Sequence, residues 1–226
     1  ASDLGAGLKF AGQAMLRNPV AYLVPALVYS VLIFLIALGA VFAGGALIVA
    51  QAEAQGYASE PTFGDIALVL AVIYGIMLLA LPISLLWQAG SARSGVVVLE
   101  GSRPSIGQAM IGPLRVILTA LLSGAIIAVG TLLFYIPGLI AAVLMFYAIP
   151  ASARGTSPVG AVKESFRLAT KNLGTTIVAY LVVGVISSFV GMLILPLVIL
   201  IPFFILFQLG MYERVSGRAV VEPARA

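Results

Sequence analysis

The chain has no cysteine and no histidine. That absence removes disulfides, thiolate nucleophiles, the usual zinc sites and imidazole acid–base chemistry together. Charge is scarce too. Of 226 residues, 9% are charged and 62% are hydrophobic, where a soluble domain carries about 25% charged residues. Such a chain has too little polar surface to cover a water-exposed globule, so its natural solvent is lipid. The net charge of +4 does not require nucleic acid, because bases beside apolar runs are explained by membrane orientation and anionic lipid.

What is present is a pattern of bases. The twelve are Lys9, Arg17, Arg93, Arg103, Arg115, Arg154, Lys163, Arg167, Lys171, Arg214, Arg218 and Arg225. Three long stretches carry none: 18–92, 116–153 and 172–213. Each can cross a bilayer and return, at about 20 residues per crossing. The spans read as about Val20 to Leu47, Ile66 to Gly90, Val116 to Leu133, Gly138 to Ala153, Leu173 to Leu193 and Leu197 to Tyr212. The first apolar run is too long for a cleavable signal, whose core is about 7–15 residues, and is read as a retained span. Tight turns at 134–138 and 194–196 make hairpins of the last four spans. The loop 48–65 holds Glu53, Glu60 and Asp65 and no base. The other five acids lie with the twelve bases, leaving +7 on that side and −3 on the loop's. The positive-inside rule then predicts both termini in the cytoplasm. The expected fold is all-α: a polytopic membrane protein of six transmembrane helices arranged as three hairpins.

A threefold repeat is expected within this single membrane domain (1–226), over about 1–101, 102–155 and 156–218, with a short tail at 219–226. LKFAGQAMLRN (8–18) aligns with VKESFRLATKN (162–172). Lys9 falls on Lys163, Ala11 on Ser165, Arg17 on Lys171 and Asn18 on Asn172. The middle unit is shorter, RPSIGQAMIGPLR (103–115). Pro82, Pro137 and Pro196 stand at matching distances before Glu100, Arg154 and Glu213. The segments before the spans read as amphipathic helices lying in the cytoplasmic headgroup plane. In 157–171, Ser157 is placed to cap and Pro158 fits the first helical position. Val159, Val162, Phe166 and Ala169 share one face, and Lys163, Arg167 and Lys171 another. Lys9, Gln13 and Arg17 repeat that polar stripe. These helices either anchor the bundle or present a surface, Lys9, Arg17, Lys163, Arg167 and Lys171, to anionic lipid or to an acidic partner subunit.

Ionisable residues inside a bilayer mark function by default, and the spans hold almost none. Arg93, just past Trp87, reads as an interfacial anchor. The candidate intramembrane polar residues are Gln88, Ser123, Ser187 and Gln208. They are expected to hydrogen-bond between helices, or to mark a substrate path if they line one central cavity. Pro82 and Pro202 read as interior prolines, and the remaining ones as span-end punctuation. Gly39 with Ala43, Ala40 with Gly44, Gly124 with Ala128 and Gly184 with Ser188 are expected at helix contacts. No phosphate loop, catalytic carboxylate pair or Ser–His pairing is present. No catalytic residue, metal or cofactor is therefore expected.

The stretches VVVLEGSRPSIGQAM and YIPGLIAAVLMFYAIPASARGTSPVGAVKESFRLATKN resemble a broad group of bacterial six-helix membrane proteins of poorly characterised function. That group includes the membrane domain attached to some glycerophosphodiester phosphodiesterases, whose hydrolase chemistry belongs to a separate soluble domain. The resemblance implies a module of the bacterial cytoplasmic (inner) membrane with an accessory role. The expected function is a non-enzymatic scaffold or accessory in membrane lipid or cell-envelope processes. The alternative is a transporter or channel for an apolar or lipid-like substrate.

Overall fold

The structure, a computed structural model, describes residues 2–190 and 194–224. Among the described residues every regular element is helical. In chain order they are α1 (Ser2–Arg17), α2 (Pro19–Gln55), α3 (Phe63–Met77), α4 (Ala80–Leu99), α5 (Ile106–Met110) and α6 (Leu114–Leu133). There follow α7 (Tyr135–Leu144), α8 (Ala148–Ala153), α9 (Pro158–Lys171), α10 (Leu173–Val190) and α11 (Ile194–Val215). Among the described residues, four segments are long and apolar enough to cross a membrane: Pro19–Gln55, Phe63–Leu99, Ile106–Leu133 and Tyr135–Ala153. A fifth is added if α9 and α10, bent by 104° at their junction, are taken together. The approach to α11 at 191–193 lies outside the described residues, and with it part of the turn expected before Pro196.

The chain divides into two compact units, 28–84 and the remainder. In the smaller unit α2 runs on to Gln55, so the polar QAEAQ is helical and the loop is shorter than the expected 48–65. Thr62 caps α3 through a capping box with Asp65. Gln55 reaches back to the Asp65 carboxylate at 3.0 Å. Gly44 packs against Ile73, which lets the two helices approach closely.

In the larger unit α1 packs along α11. The crossing is glycine on glycine: a Cβ on Gly210 would lie 3.0 Å from the Gly7 Cα. Around it gather Phe10, Val98, Tyr147, Leu206, Phe207 and Met211, all fully buried. Burial is graded along the helices. Val116, Thr119, Ala120 and Ser123 of α6 are buried, whereas Val129, Leu132 and Leu133 at its far end are exposed. In α10, Thr176 and Ala179 are buried, and Leu181, Val185 and Phe189 are exposed. The core therefore sits at one end of these helices.

The helix breaks have local causes. A single extended residue, Phe134, separates α6 from α7, and Gly138 lets α7 fold back onto Thr131, whose Cα a Cβ there would meet at 2.8 Å. Pro137 is the third residue of α7, in the first turn, where no N–H bond is lost. Pro82 is likewise the third residue of α4 and follows a turn at Leu78–Leu79. It therefore falls at a break inside the Phe63–Leu99 segment; the prolines inside unbroken helices are Pro25 and Pro202. The expected span Gly138 to Ala153 is also interrupted, by a turn at 145–147 between α7 and α8.

Two junction motifs recur. Asn18 donates to the Ala14 carbonyl at 3.0 Å, and Asn172 to the Leu168 carbonyl at 3.0 Å. Each closes the last turn of a helix and starts the next. The helices α4, α8 and α11 all end on a left-handed glycine, Gly101, Gly155 and Gly217. In each, the two N–H groups after the C-cap bond back into the last turn, the geometry of a Schellman cap.

Candidate functional site

Helix α9 carries the most basic of the expected surfaces. The Ser157 side chain accepts from the Gly160 N–H and Pro158 opens the helix, as the sequence predicts. Its residues sort into three faces about a third of a turn apart. Ala161, Ser165, Leu168 and Ala169 are buried against the core. Val159 and Phe166 are exposed apolar side chains. Lys163, Arg167 and Lys171 are exposed, and among the described residues none of the three makes an ion pair. The sequence placed Ala169 with Val159 and Phe166; the structure puts it on the core face, because the helix meets protein on one side and leaves its apolar edge open.

Helix α1 repeats the register. Gly7, Ala11 and Ala14 are buried, at the positions aligned with Ala161, Ser165 and Leu168. Lys9 is exposed, as Lys163 is. Arg17 departs from the free surface expected of it. It pairs with Glu222 at 3.0 Å and donates to the Pro223 carbonyl, tying the tail segment to the end of α1. Arg103 adds a bond to the Arg17 carbonyl at 3.3 Å.

An apolar groove of about 630 Å³ opens between α6, α7 and α9. Its walls include Ile126, Pro137, Ile140, Ala141 and Phe166, and Lys163 is its one charged lining residue. A second groove, in the smaller unit, is lined by α2, α3 and the loop between them, with Gln51, Gln55 and Asp65 among its residues.

Many polar groups of the larger unit are closed on protein partners. Ser165 donates to the Leu144 carbonyl at 2.6 Å and accepts from the Tyr147 N–H at 3.0 Å, spanning the α7–α8 break. Tyr147 also shares a 2.9 Å bond with Thr176. Glu213 is 2% exposed and is gripped by Arg154 at 2.9 Å and Arg218 at 2.7 Å. That carboxylate raises the Arg218 pKa above its ordinary value. Glu164 accepts from the Tyr212 hydroxyl at 2.8 Å and from Thr156 at 3.2 Å. Asp3 pairs with Arg214 at 3.0 Å. Arg115 donates to the Ser152 carbonyl at 2.8 Å, and Arg93 to the Ile111 carbonyl at 3.2 Å.

The four intramembrane polar candidates are dispersed, Gln88 in α4, Ser123 in α6, Ser187 in α10 and Gln208 in α11. Neither groove is lined by any of them. Ser123 donates within its own helix, to the Ala120 carbonyl. Of the small-residue pairs, Ala40 with Gly44 lies at a helix contact, while Gly39, Gly124 and Gly184 face open space. Glu213 and Ser165 have more partners than their places in the sequence suggest. Glu213 follows the predicted last span, a position that looks solvated until Arg154 and Arg218 are seen to enclose it.

No protein-family model matches the chain, and no solved structure matches it. The chain is similar to the uncharacterized protein Rv2560 of Mycobacterium tuberculosis. The two are 29% identical over 242 residues, covering 99% of this chain and 71% of the relative. The uncharacterized protein Mb2590 of Mycobacterium bovis matches with the same identity and coverage. The similarity therefore runs through both compact units and the basic helices.

Proposed function

We propose that the chain is a six-span module of the bacterial inner membrane with both termini in the cytoplasm. It is built from three repeats of a cytoplasmic interfacial segment and a hairpin. It acts as a non-enzymatic accessory or scaffold in membrane lipid or cell-envelope processes, with its basic face on anionic lipid. The carrying observation is the set Lys163, Arg167 and Lys171, exposed and without ion pairs on a helix whose opposite side is buried. Each base near an anionic surface contributes about 1 kcal/mol. The recurring asparagine junctions and glycine caps support the repeat. The resemblance to a membrane domain attached to a separate hydrolase supports the accessory role.

A transporter that uses broken helices needs open backbone groups at the break. At the α7–α8 break those groups are taken by Ser165, which favours the scaffold. The test uses the purified chain in bilayers containing spin-labelled phosphatidylglycerol or phosphatidylcholine. Phosphatidylglycerol should be the more immobilised lipid. A variant with Lys9, Lys163, Arg167 and Lys171 all changed to Gln should lose that preference. Equal immobilisation of the two lipids by the unaltered chain overturns the reading.

A further inference from the structure

The groove between α6, α7 and α9 joins an apolar slot to an unpaired base. We propose that it holds one acyl chain of a single anionic phospholipid, with the lipid phosphate on Lys163. The inference rests on the membrane reading above and assigns a defined site within its basic face. The shape fits. The wall runs along α7 from Pro137 to Leu144, about 10 Å at helical rise. The volume of about 630 Å³ lies within the roughly 300–1,000 Å³ of ligand clefts. The polarity fits as well. The lining is otherwise apolar, and the lone charge, Lys163, is contributed by α9.

A bilayer lipid presents that same order, with a hydrocarbon chain along the membrane normal and an anionic group at the headgroup level. Free phosphate would engage Lys163 and leave the slot empty. A phospholipid satisfies both parts. Arg167 follows Lys163 by four residues on the same face, with Cβ atoms about 5–6 Å apart, and supplies a second donor to the headgroup. Glu164 does not compete for Lys163, because its carboxylate is held by Tyr212 and Thr156.

The experiment is native mass spectrometry of the detergent-purified full chain, titrated with phosphatidylglycerol or phosphatidylcholine of matched chains. One phosphatidylglycerol per chain should be retained in preference to phosphatidylcholine. Lys163→Gln removes the charge from an exposed position and should lower its occupancy about five-fold. Ala141→Phe fills the slot without touching charge and should lower it comparably, at unchanged unfolding temperature. Lys9→Gln, on α1 and outside the groove, should lower it less than Lys163→Gln does. Retention untouched by Lys163→Gln overturns the site. If Lys9→Gln weakens binding as much as Lys163→Gln, and Ala141→Phe has no effect, the groove is overturned while the basic face stands. If the unaltered chain shows no preference for phosphatidylglycerol, both proposals fall.

Discussion

At the scale of single residues, the larger unit depends on a few buried polar side chains with several partners each. Ser165 is fully buried and joins two backbone groups that the α7–α8 break has freed. Replacing it by Ala strands a donor and an acceptor, and an unsatisfied buried group costs about 1–3 kcal/mol. Ser165→Ala should therefore lower unfolding stability in detergent by about 2 kcal/mol. Ser188→Ala is the control. Its hydroxyl is exposed and bonds only the Gly184 carbonyl, so the change should stay within about 0.5 kcal/mol. Glu213 poses the same problem with charge. Glu213→Ala leaves Arg154 and Arg218 side by side without their carboxylate. Breaking a fully buried pair costs about 3–5 kcal/mol. Both guanidinium groups keep contact with solvent, so a loss of about 2 kcal/mol is expected in denaturant unfolding, and Glu213→Gln should recover part of it. Sequence showed the residues whose work is local. Ser157 and Pro158 cap the helix that they precede. It did not show Ser165, whose partners lie about twenty residues away in the chain, or the Arg17–Glu222 pair, which joins the two ends of the sequence.

At the scale of elements, glycine placement decides how helices end and how closely they cross. Gly155 ends α8 at φ 119°, where an L side chain is strained, whereas Gly5 sits in α1 with nothing within 4 Å of a Cβ. Gly155→Ala should destabilise by about 1 kcal/mol, and Gly5→Ala should stabilise by up to about 1 kcal/mol through the unfolded chain. Thermal unfolding of the two variants in one detergent reads the opposite signs directly. Equal signs would mean that the cap geometry is not what Gly155 serves. The positions of most helices followed from apolar runs and base-free stretches. The break at 145–147 did not, because Met145, Phe146 and Tyr147 contain no helix breaker; the turn exists where the Ser165 hydroxyl takes the Tyr147 N–H and the Leu144 carbonyl in place of helical partners. Apart from Ala40 with Gly44, the small-residue pairs misled for a related reason. A glycine facing lipid and one facing a neighbouring helix look alike in sequence, and the contacts fall instead at Gly7, Gly138 and Gly210.

At the scale of the whole molecule, the graded burial of the larger unit and the proposed orientation make one argument. Apolar side chains are equally at home against lipid or protein, so hydropathy alone could not show that the core gathers at one end of α6 and α10. That end also carries α1, α9 and the Glu213 cluster, where charged groups find partners in protein and headgroups. The proposed orientation sets this end in the cytoplasm and the acidic loop after α2 on the opposite side. Because the chain has no cysteine, single-cysteine variants report on one position each. Ala58 and Ser102 are both exposed, and neither needs a left-handed backbone. In intact cells a membrane-impermeant maleimide should label Ala58→Cys and leave Ser102→Cys unlabelled, until the membrane is opened and both react. Labelling of Ser102→Cys alone would invert the topology and would set Lys163, Arg167 and Lys171 against the outer leaflet. Labelling of both in intact cells would mean an even number of crossings between them, and the six-span count would then fail along with the hairpin repeat.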